Sequence, residues 1–436
     1  MRVLVVGTGG VGESMAILAE RRDPEGKIFE KMVLADYDLE RAQRVSRKLG
    51  EQRFPAAQVD AFDVDAVAAL ATGNAVDVIC NFLPMTANAA LIDAALKAGV
   101  HYLDTAIYED PTPASTGHRR EFWDSPQFDY HDRFVAAGKL GLTGNGVEPG
   151  MADYYARYAA DHFFDEIDEI GIRDGANLEI PGFKGMAFGF SVWATIDECT
   201  SDGIVWEADK GWYSVDAFSD MEPFFLPDGI GVQQVGHVAH DEVVHIGRCA
   251  HLLKGVKKAT FKYGLGDEFM HGVDVLKSLN LHSDEPVRVK GAEVAPLDLV
   301  VAAAPDPAET GKAFVGKTSA GTWVKGRRDG MEREIYLYQV ADNQETMAKY
   351  GTQAVVCQTA FTPPIVLELL ATGKLAGYRG NPENGMRSPE EFCADPYVML
   401  MDTYGFPGGM LEMESEYSRA QALAALTAPA RESVGS

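Results

Sequence analysis

The sequence predicts an α/β protein: a doubly wound parallel sheet, followed by an inserted second domain of mixed, largely antiparallel α/β character. Three observations carry this. Val3, Leu4, Val5 and Val6 form a continuous aliphatic run, as expected of a strand buried on both faces. That run enters Gly7-x-Gly9-x-x-Gly12 and then a helical pattern. Strands continue to alternate with helices through the first hundred residues, which implies βαβ crossovers and a parallel sheet. At 436 residues the chain is too long for one core. Boundaries are expected at 1–150, 151–345 and 346–436, with the last segment returning to the first domain.

The glycine turn is the Rossmann pattern. Gly7 permits the tight turn, Gly9 lets a pyrophosphate approach the backbone, and Gly12 lets the helix pack on the strand. Gly10 and Val11 complete the loop, whose N–H groups open the helix over Glu13–Arg22. The second strand is Met32–Asp36, and Asp36 stands where a dinucleotide site places an acid for the adenosine ribose hydroxyls. A 2′-phosphate would meet it as a like charge, so NAD is expected over NADP. Asp38 is the better cap for the helix Leu39–Leu49. A short strand at Gln58–Asp60 is followed by Asp63, where the adenine edge would lie. The fourth strand, Val76–Phe82, ends in Leu83-Pro84, a helix covers Thr86–Ala98, and the fifth strand is His101–Ala106. Ligands bind at the carboxyl ends of such strands. Asn81, Phe82, Pro84, Asp104 and Thr105 are therefore expected beside the nicotinamide. Residues 107–137 exceed a plain crossover and hold Tyr108, Glu109, His118, Trp123, Tyr130 and His131. They read as a lid or substrate wall, or else as a structural insertion on the far side. A sixth strand at Lys139–Thr143 leads into a second glycine-rich loop, Gly144–Gly150, and a helix from Met151.

The formal net charge is −26. That argues against nucleic acid as a partner; it is compatible with a cationic substrate or with solubility alone. Cys80, Cys199, Cys249, Cys357 and Cys393 are scattered, which suggests reduced thiols in the cytoplasm. The chain opens on a strand, so no signal peptide is expected, and no apolar run reads as a membrane span. His237, His240 and His245 with Asp241 and Glu242 lack the His-Glu-x-x-His order; they read as exposed loop or helix-cap residues, and no metal is expected. In the second domain Ile167–Ile172, Ala187–Val192, Lys257–Tyr263 and Arg333–Val340 read as strands, and Pro296–Ala304 as a helix. Ala348–Gly373 reads as a long apolar helix broken or kinked at Pro363-Pro364. Residues 427–436 are small and polar, and fraying is expected.

Tyr102–Ala106 and Gly146–Gly150 resemble the saccharopine dehydrogenase family. The resemblance continues through Phe164–Ile167, Pro305–Pro307, Gly316–Thr318, Lys325–Gly330, Asp342–Glu345, Gly351–Ala354 and Tyr404–Pro407, nearly the whole chain. The carboxynorspermidine dehydrogenase branch is the nearest resemblance; lysine 6-dehydrogenase is more distant. The resemblance implies a Rossmann domain, an inserted α/β domain, and a returning segment that contributes to a homodimer. It also implies oxidation or reduction of a C–N bond in amines or imines of amino acids, with a nicotinamide cofactor. Where that branch tends to carry a Ser-Arg-Thr-like segment suited to NADP, this chain has Asp36-Tyr37-Asp38. The expected activity is therefore NAD-dependent, on an amino-acid-derived secondary amine or a basic amino acid. The alternatives are a carboxynorspermidine-type reductase joining aspartate semialdehyde to a diamine, and a non-catalytic nucleotide-binding module.

Hydride transfer needs the carbon roughly 3–3.5 Å from the nicotinamide and a group to move a proton at nitrogen. Asp104, at a strand end, is the first candidate for proton carrier or amine anchor. Glu148, just before Pro149-Gly150, suits a substrate ammonium, and Tyr108 is a third catalytic candidate. Asp153, Lys317 and Trp123 are candidate substrate contacts, with Lys317 suited to a carboxylate.

Overall fold

The computed structural model of the chain describes residues 1–107, 122–377 and 384–427. Its first sheet has seven parallel strands. In chain order they are β1 (Arg2–Val6), β2 (Lys31–Asp36), β3 (Ala56–Gln58), β4 (Val78–Asn81), β5 (His101–Leu103), β6 (Leu140–Leu142) and, far along the chain, Gly385–Arg387. Across the sheet the order is Gly385–Arg387, β6, β5, β4, β1, β2, β3. The chain winds one way from β1 to β3 and the other way from β4, so the switch point lies between β1 and β4. The aliphatic run of β1 explains its central place: Val3 and Val5 enter one core and Leu4 and Val6 the other. A strand with both faces apolar is stable only with helices on each side. These are α1 (Gly10–Arg22), α2 (Leu39–Leu49), α3 (Val64–Gly73), α4 (Asn88–Ala98) and α5 (His131–Ala137), together with the helix Ala354–Ala371, which packs on α1.

That last helix differs from expectation in two ways. It is continuous, with Pro363 and Pro364 inside it, and a separate helix Asn343–Tyr350 precedes it. The Pro364 carbonyl accepts from the Tyr404 hydroxyl at 3.0 Å, which ties the proline turn of this helix to the segment that follows it. By length and composition the helix could also cross a membrane, contrary to the sequence reading, but 78% of it is buried inside the protein. Its buried Glu368 pairs with Arg22 of α1 at 2.6 Å.

The helix α6 (Met151–His162) leaves the second glycine loop and leads into the second sheet. The strands there are β7 (Glu166–Ala176), β8 (Gly203–Glu207), β9 (Gly211–Val215), β10 (Glu222–Leu226), β11 (Gly231–His237) and β12 (Lys258–Gly264). A small hairpin, β13 (Val287–Val289) and β14 (Ala292–Val294), stands apart, and β15 (Lys317–Arg328) and β16 (Met331–Asp342) complete the main sheet with Gly408–Glu412. Among the described residues only the β7–β12 pair in this sheet is parallel; its other pairings are antiparallel. The β15–β16 hairpin turns at Asp329-Gly330, both with positive φ (52° and 77°), as a two-residue hairpin turn requires. Ala187–Val192, expected as a strand, is instead a loop leading into α7 (Val192–Thr200). The helix α8 (Asp241–Arg248) packs on β12 and β8. All five cysteines are free.

Candidate active site

The first glycine loop sits at the switch point, and its three glycines do different work. A Cβ at Gly7 (φ +94°) would meet the Phe82 carbonyl oxygen at 2.9 Å, and one at Gly12 would stand 2.0 Å from the Gly7 carbonyl oxygen. A Cβ at Gly9 would meet nothing within 4 Å. Two glycines thus permit close packing and the third leaves an open approach, beside Gly10 and Val11 at the surface. This is the cradle a dinucleotide pyrophosphate needs. Phe82 packs beside Gly7 and Gly12, and exposed Pro84 follows it at the end of β4.

Asp36 ends β2 beside this loop, 6% exposed. Its Oδ2 accepts from the Thr8 N–H (2.8 Å) and hydroxyl (2.9 Å), and Oδ1 from the Asp38 N–H (3.0 Å). Burial pushes the carboxyl up, but these hydrogen bonds outweigh it and hold it below the usual range. The residue is a fixed anion at the glycine loop. Asp38 caps α2, accepting from the Glu40 and Arg41 N–H groups, and exposed Asp63 caps α3 through the Ala66 N–H.

The carboxyl ends of β4, β5 and β6 carry a buried polar network. Asp104 Oδ1 accepts from the Gly144 N–H at 2.8 Å, and the Asn145 N–H donates to the Asp104 carbonyl. The Gln127 amide donates to Asp104 Oδ2 and to the Thr143 hydroxyl, both at 2.5 Å. Asn88 donates to Asp104 at 3.3 Å, and Asn81 donates to Asn88 at 2.7 Å. Burial raises the Asp104 carboxyl to about 7 despite these donors. Asp104 therefore ties the second glycine loop to the sheet. Thr105 lies against that loop, 3.4 Å from where a Gly146 Cβ would be.

Glu148, on the same loop, faces the second domain, where its Oε1 accepts from the Gly321 N–H of β15 at 3.1 Å. Around it gather Asp174 of β7, Glu198 of α7 and Glu242 of α8. Burial raises the Glu148 carboxyl well above its ordinary value, and the charges of Asp174 and Glu242 raise it further. Burial likewise lifts Asp174 to about 6 and Glu198 to about 7. His240 stands among them, its Nδ1 against Glu242 and its Nε2 3.7 Å from Glu198, with its ring stacked on Phe261 at 4.0 Å. Oδ1 of Asp174 and Oε1 of Glu242 are buried without a hydrogen-bond partner. Four carboxyl groups around one imidazole form a site that a cation stabilises, because each like charge disfavours ionisation of the others.

The other predicted residues fall elsewhere. Asp153 is fully buried in the first turn of α6, where its Oδ2 accepts from the Gly150 N–H at 2.7 Å. Lys317 begins β15 in register with Asp342, and Trp123 packs against the main core. Tyr108, Glu109 and His118 lie outside the described residues. The histidine segment is not exposed: His237, Asp241, Glu242 and His245 are 4%, 7%, 0% and 0% exposed. Asp241 accepts from the Ile107 N–H at 2.7 Å, and His240, at the cap position of α8, makes no capping bond. The charged residues of this segment misled because tertiary packing, not local polarity, decides their burial.

The saccharopine dehydrogenase NADP binding domain model matches residues 3–142, and the saccharopine dehydrogenase C-terminal domain model matches residues 146–405. The chain belongs to the saccharopine dehydrogenase family. It is 29% identical over 424 residues to the carboxynorspermidine synthase of Vibrio alginolyticus, covering 95% of this chain and 98% of that one. It is also 29% identical over 408 residues to the carboxyaminopropylagmatine dehydrogenase of Synechocystis sp., covering 93% and 96%. Among solved structures, apo saccharopine dehydrogenase (L-Glu forming) from Saccharomyces cerevisiae has a TM-score of 0.67 at 15% identity, covering 95% of this chain and all of that one, and shares the fold. As a family member the chain is an oxidoreductase with a nicotinamide-nucleotide-binding domain.

Sequence reasoning missed Asp174, Glu198 and Gln127, and it named His240 and Glu242 only as exposed loop or helix-cap residues. Arg173-Asp174 gave no distinct signal, since the same strand also carries Glu166, Asp168 and Glu169. No spacing rule joins residues 148, 174, 198 and 242.

Proposed function

We propose that this protein is an NAD-dependent oxidoreductase acting on the C–N bond of a secondary amine built from a diamine or guanidinoamine and an amino-acid aldehyde. The observation that carries this reading is the carboxylate cluster of Glu148, Asp174, Glu198 and Glu242 at the second glycine loop. A substrate with two or more cationic nitrogens satisfies such a cluster, whereas saccharopine, with its several carboxylates, would be repelled. The names of the two curated relatives, both of polyamine type, agree with this choice over lysine or saccharopine. The preference for NAD rests on the fixed Asp36 anion at the ribose position.

The chain's own groups have distinct tasks in this reading. Gly7, Gly9, Gly12 and Asp36 hold the dinucleotide, which when bound supplies or accepts the hydride at the substrate carbon. Glu198 and Glu242 hold the distal ammonium. Glu148 and Asp174 lie close enough to share one proton. The ionised member takes a proton from the attacking ammonium, which frees its lone pair to form the imine with loss of water. The same pair returns a proton to nitrogen as the C–N bond is reduced. Asp104 acts on this chemistry through Gly144 and Asn145, by fixing the loop that carries Glu148.

The test is absorbance at the reduced-nicotinamide band, with NADH or NADPH, aspartate semialdehyde and a panel of diamines and agmatine. Saccharopine and lysine with the oxidised cofactors are the comparison. Turnover with a diamine, a KM for that diamine raised at least tenfold in Glu198→Gln and Glu242→Gln, and a kcat lowered at least tenfold in Glu148→Gln, are expected. Turnover with saccharopine or lysine alone would refute the proposal.

A further inference from the structure

A second group of ionisable residues lies apart from the amine cluster, and the proposed reaction does not use it. Asp153 of α6, His245 of α8 and Glu390 of the turn Pro389–Glu391 are each 0% exposed. One ligand atom from each lies within 4.8 Å of the others, and Asp153 Oδ1 stands 3.6 Å from His245 Nδ1. Asp153 Oδ1, both ring nitrogens of His245 and both carboxyl oxygens of Glu390 have no hydrogen-bond partner. Such buried, unserved polar atoms are costly, and more so when charged. Their surroundings hold them in place. The Gly150 N–H takes Asp153 Oδ2 and leaves Oδ1 turned to the cluster. The neighbouring acid, Glu391, pairs with Arg387 and accepts from the Ser388 N–H, so Glu390 is the acid of that turn left without a bond. The His245 ring stands edge-on to Phe128 at 6.1 Å.

We infer that Asp153, His245 and Glu390 form a structural site for a first-row divalent metal ion of the zinc class. A proton shared by the two carboxyls would serve one oxygen on each and leave His245 and the second Glu390 oxygen unserved. A divalent ion serves all three residues at once and offsets both carboxylate charges. One imidazole with two carboxylates suits zinc or manganese better than calcium or magnesium, which favour oxygen alone. Tetrahedral zinc at roughly 2.1 Å from its ligands sets them about 3.4 Å apart, close to the His245–Asp153 separation. The three ligands come from the helix after the second glycine loop, from the second domain, and from the segment joining the seventh strand of the first sheet. His245 also abuts the loop itself, 2.4 Å from where a Gly144 Cβ would be. The ion would therefore clamp the loop that carries Glu148.

The test is elemental analysis of the purified full-length protein, with cobalt substitution after chelator dialysis and thermal unfolding with and without metal. About one zinc-class ion per chain, a cobalt d–d band of tetrahedral or five-coordinate intensity, and a higher melting temperature on metal return are expected. Glu390→Gln and Asp153→Asn should each hold less than about a tenth of the wild-type ion. Should either variant fail to fold, the cobalt spectrum of the wild type decides alone. A metal-free wild type whose cobalt spectrum stays that of the aqueous ion would overturn the site. So would a folded Glu390→Gln that retains its ion in full.

Discussion

The carboxylate cluster makes diamine binding a proton-linked event. An aliphatic diamine is doubly charged below about pH 9, so any pH dependence of binding between 6 and 8 comes from the protein. Glu198 stands at about 7 and Asp174 at about 6 in the free protein. If the guest needs both ionised, the penalty at pH 6 is about elevenfold for Glu198 and about twofold for Asp174. At pH 8 these two penalties are close to nothing, and Glu242, held well above its ordinary value by burial, adds to the rise. The apparent affinity should therefore rise at least about twentyfold from pH 6 to pH 8. At pH 6 about 0.9 proton leaves Glu198 and about 0.5 leaves Asp174 as the guest binds. Isothermal titration calorimetry at pH 6, in two buffers of different ionisation enthalpy, reads that release directly. A release of at least about 1.4 protons per diamine is expected in the wild type, falling by about half a proton in Asp174→Asn. An affinity that stays flat from pH 6 to 8 with no proton release would refute the assignment of these carboxyls to the amine.

The same raised carboxyls set the pH dependence of stability. An acid whose folded pKa lies above its unfolded value holds its proton more tightly when folded, so its contribution is present at low pH and lost as pH rises through the folded value. Asp174 and Asp241 at about 6, and Glu198 and Asp104 at about 7, predict a melting temperature that declines from pH 5 to pH 8. A saturating diamine should flatten the decline, as followed by differential scanning fluorimetry. Gly9→Ala should fold with a near-wild-type melting temperature yet lose dinucleotide binding in a fluorescence titration. Gly12→Ala, whose new Cβ meets the Gly7 carbonyl oxygen at 2.0 Å, should lose about 1–3 kcal/mol of stability in urea unfolding. Asp36→Ser with Tyr37→Arg should shift the NADH-to-NADPH ratio of kcat/KM at least tenfold toward NADPH. Asp104→Ala leaves the buried Gly144 N–H without its acceptor, and a loss of about 1–3 kcal/mol is expected in the same unfolding assay.

The parallel sheet was legible because its signals are local. The Val3–Val6 run, three glycines at fixed spacing, and an acid at the end of the second strand each follow from short-range sterics or two-faced burial. The Lys258–Gly264 and Met331–Asp342 strands were legible for the same reason. The reading failed where tertiary contacts override local pattern. Pro363 and Pro364 sit inside a continuous helix that is buried in the protein, where packing on its neighbours holds it. That helix is apolar because the protein surrounds it.

Sequence alone thus determined the dinucleotide cradle and the family, since both are written in contiguous motifs. Tertiary structure decided what the loop carboxylates face. Asp104 and Glu148 are alike in the sequence, both acids near strand ends. Folding encloses Asp104 among neutral donors from Gly144, Gln127 and Asn88, and sets Glu148 among Asp174, Glu198 and Glu242. The difference arises from charges brought together across gaps of tens of residues. Electrostatic energy depends on distance in space, and no spacing along the chain encodes it.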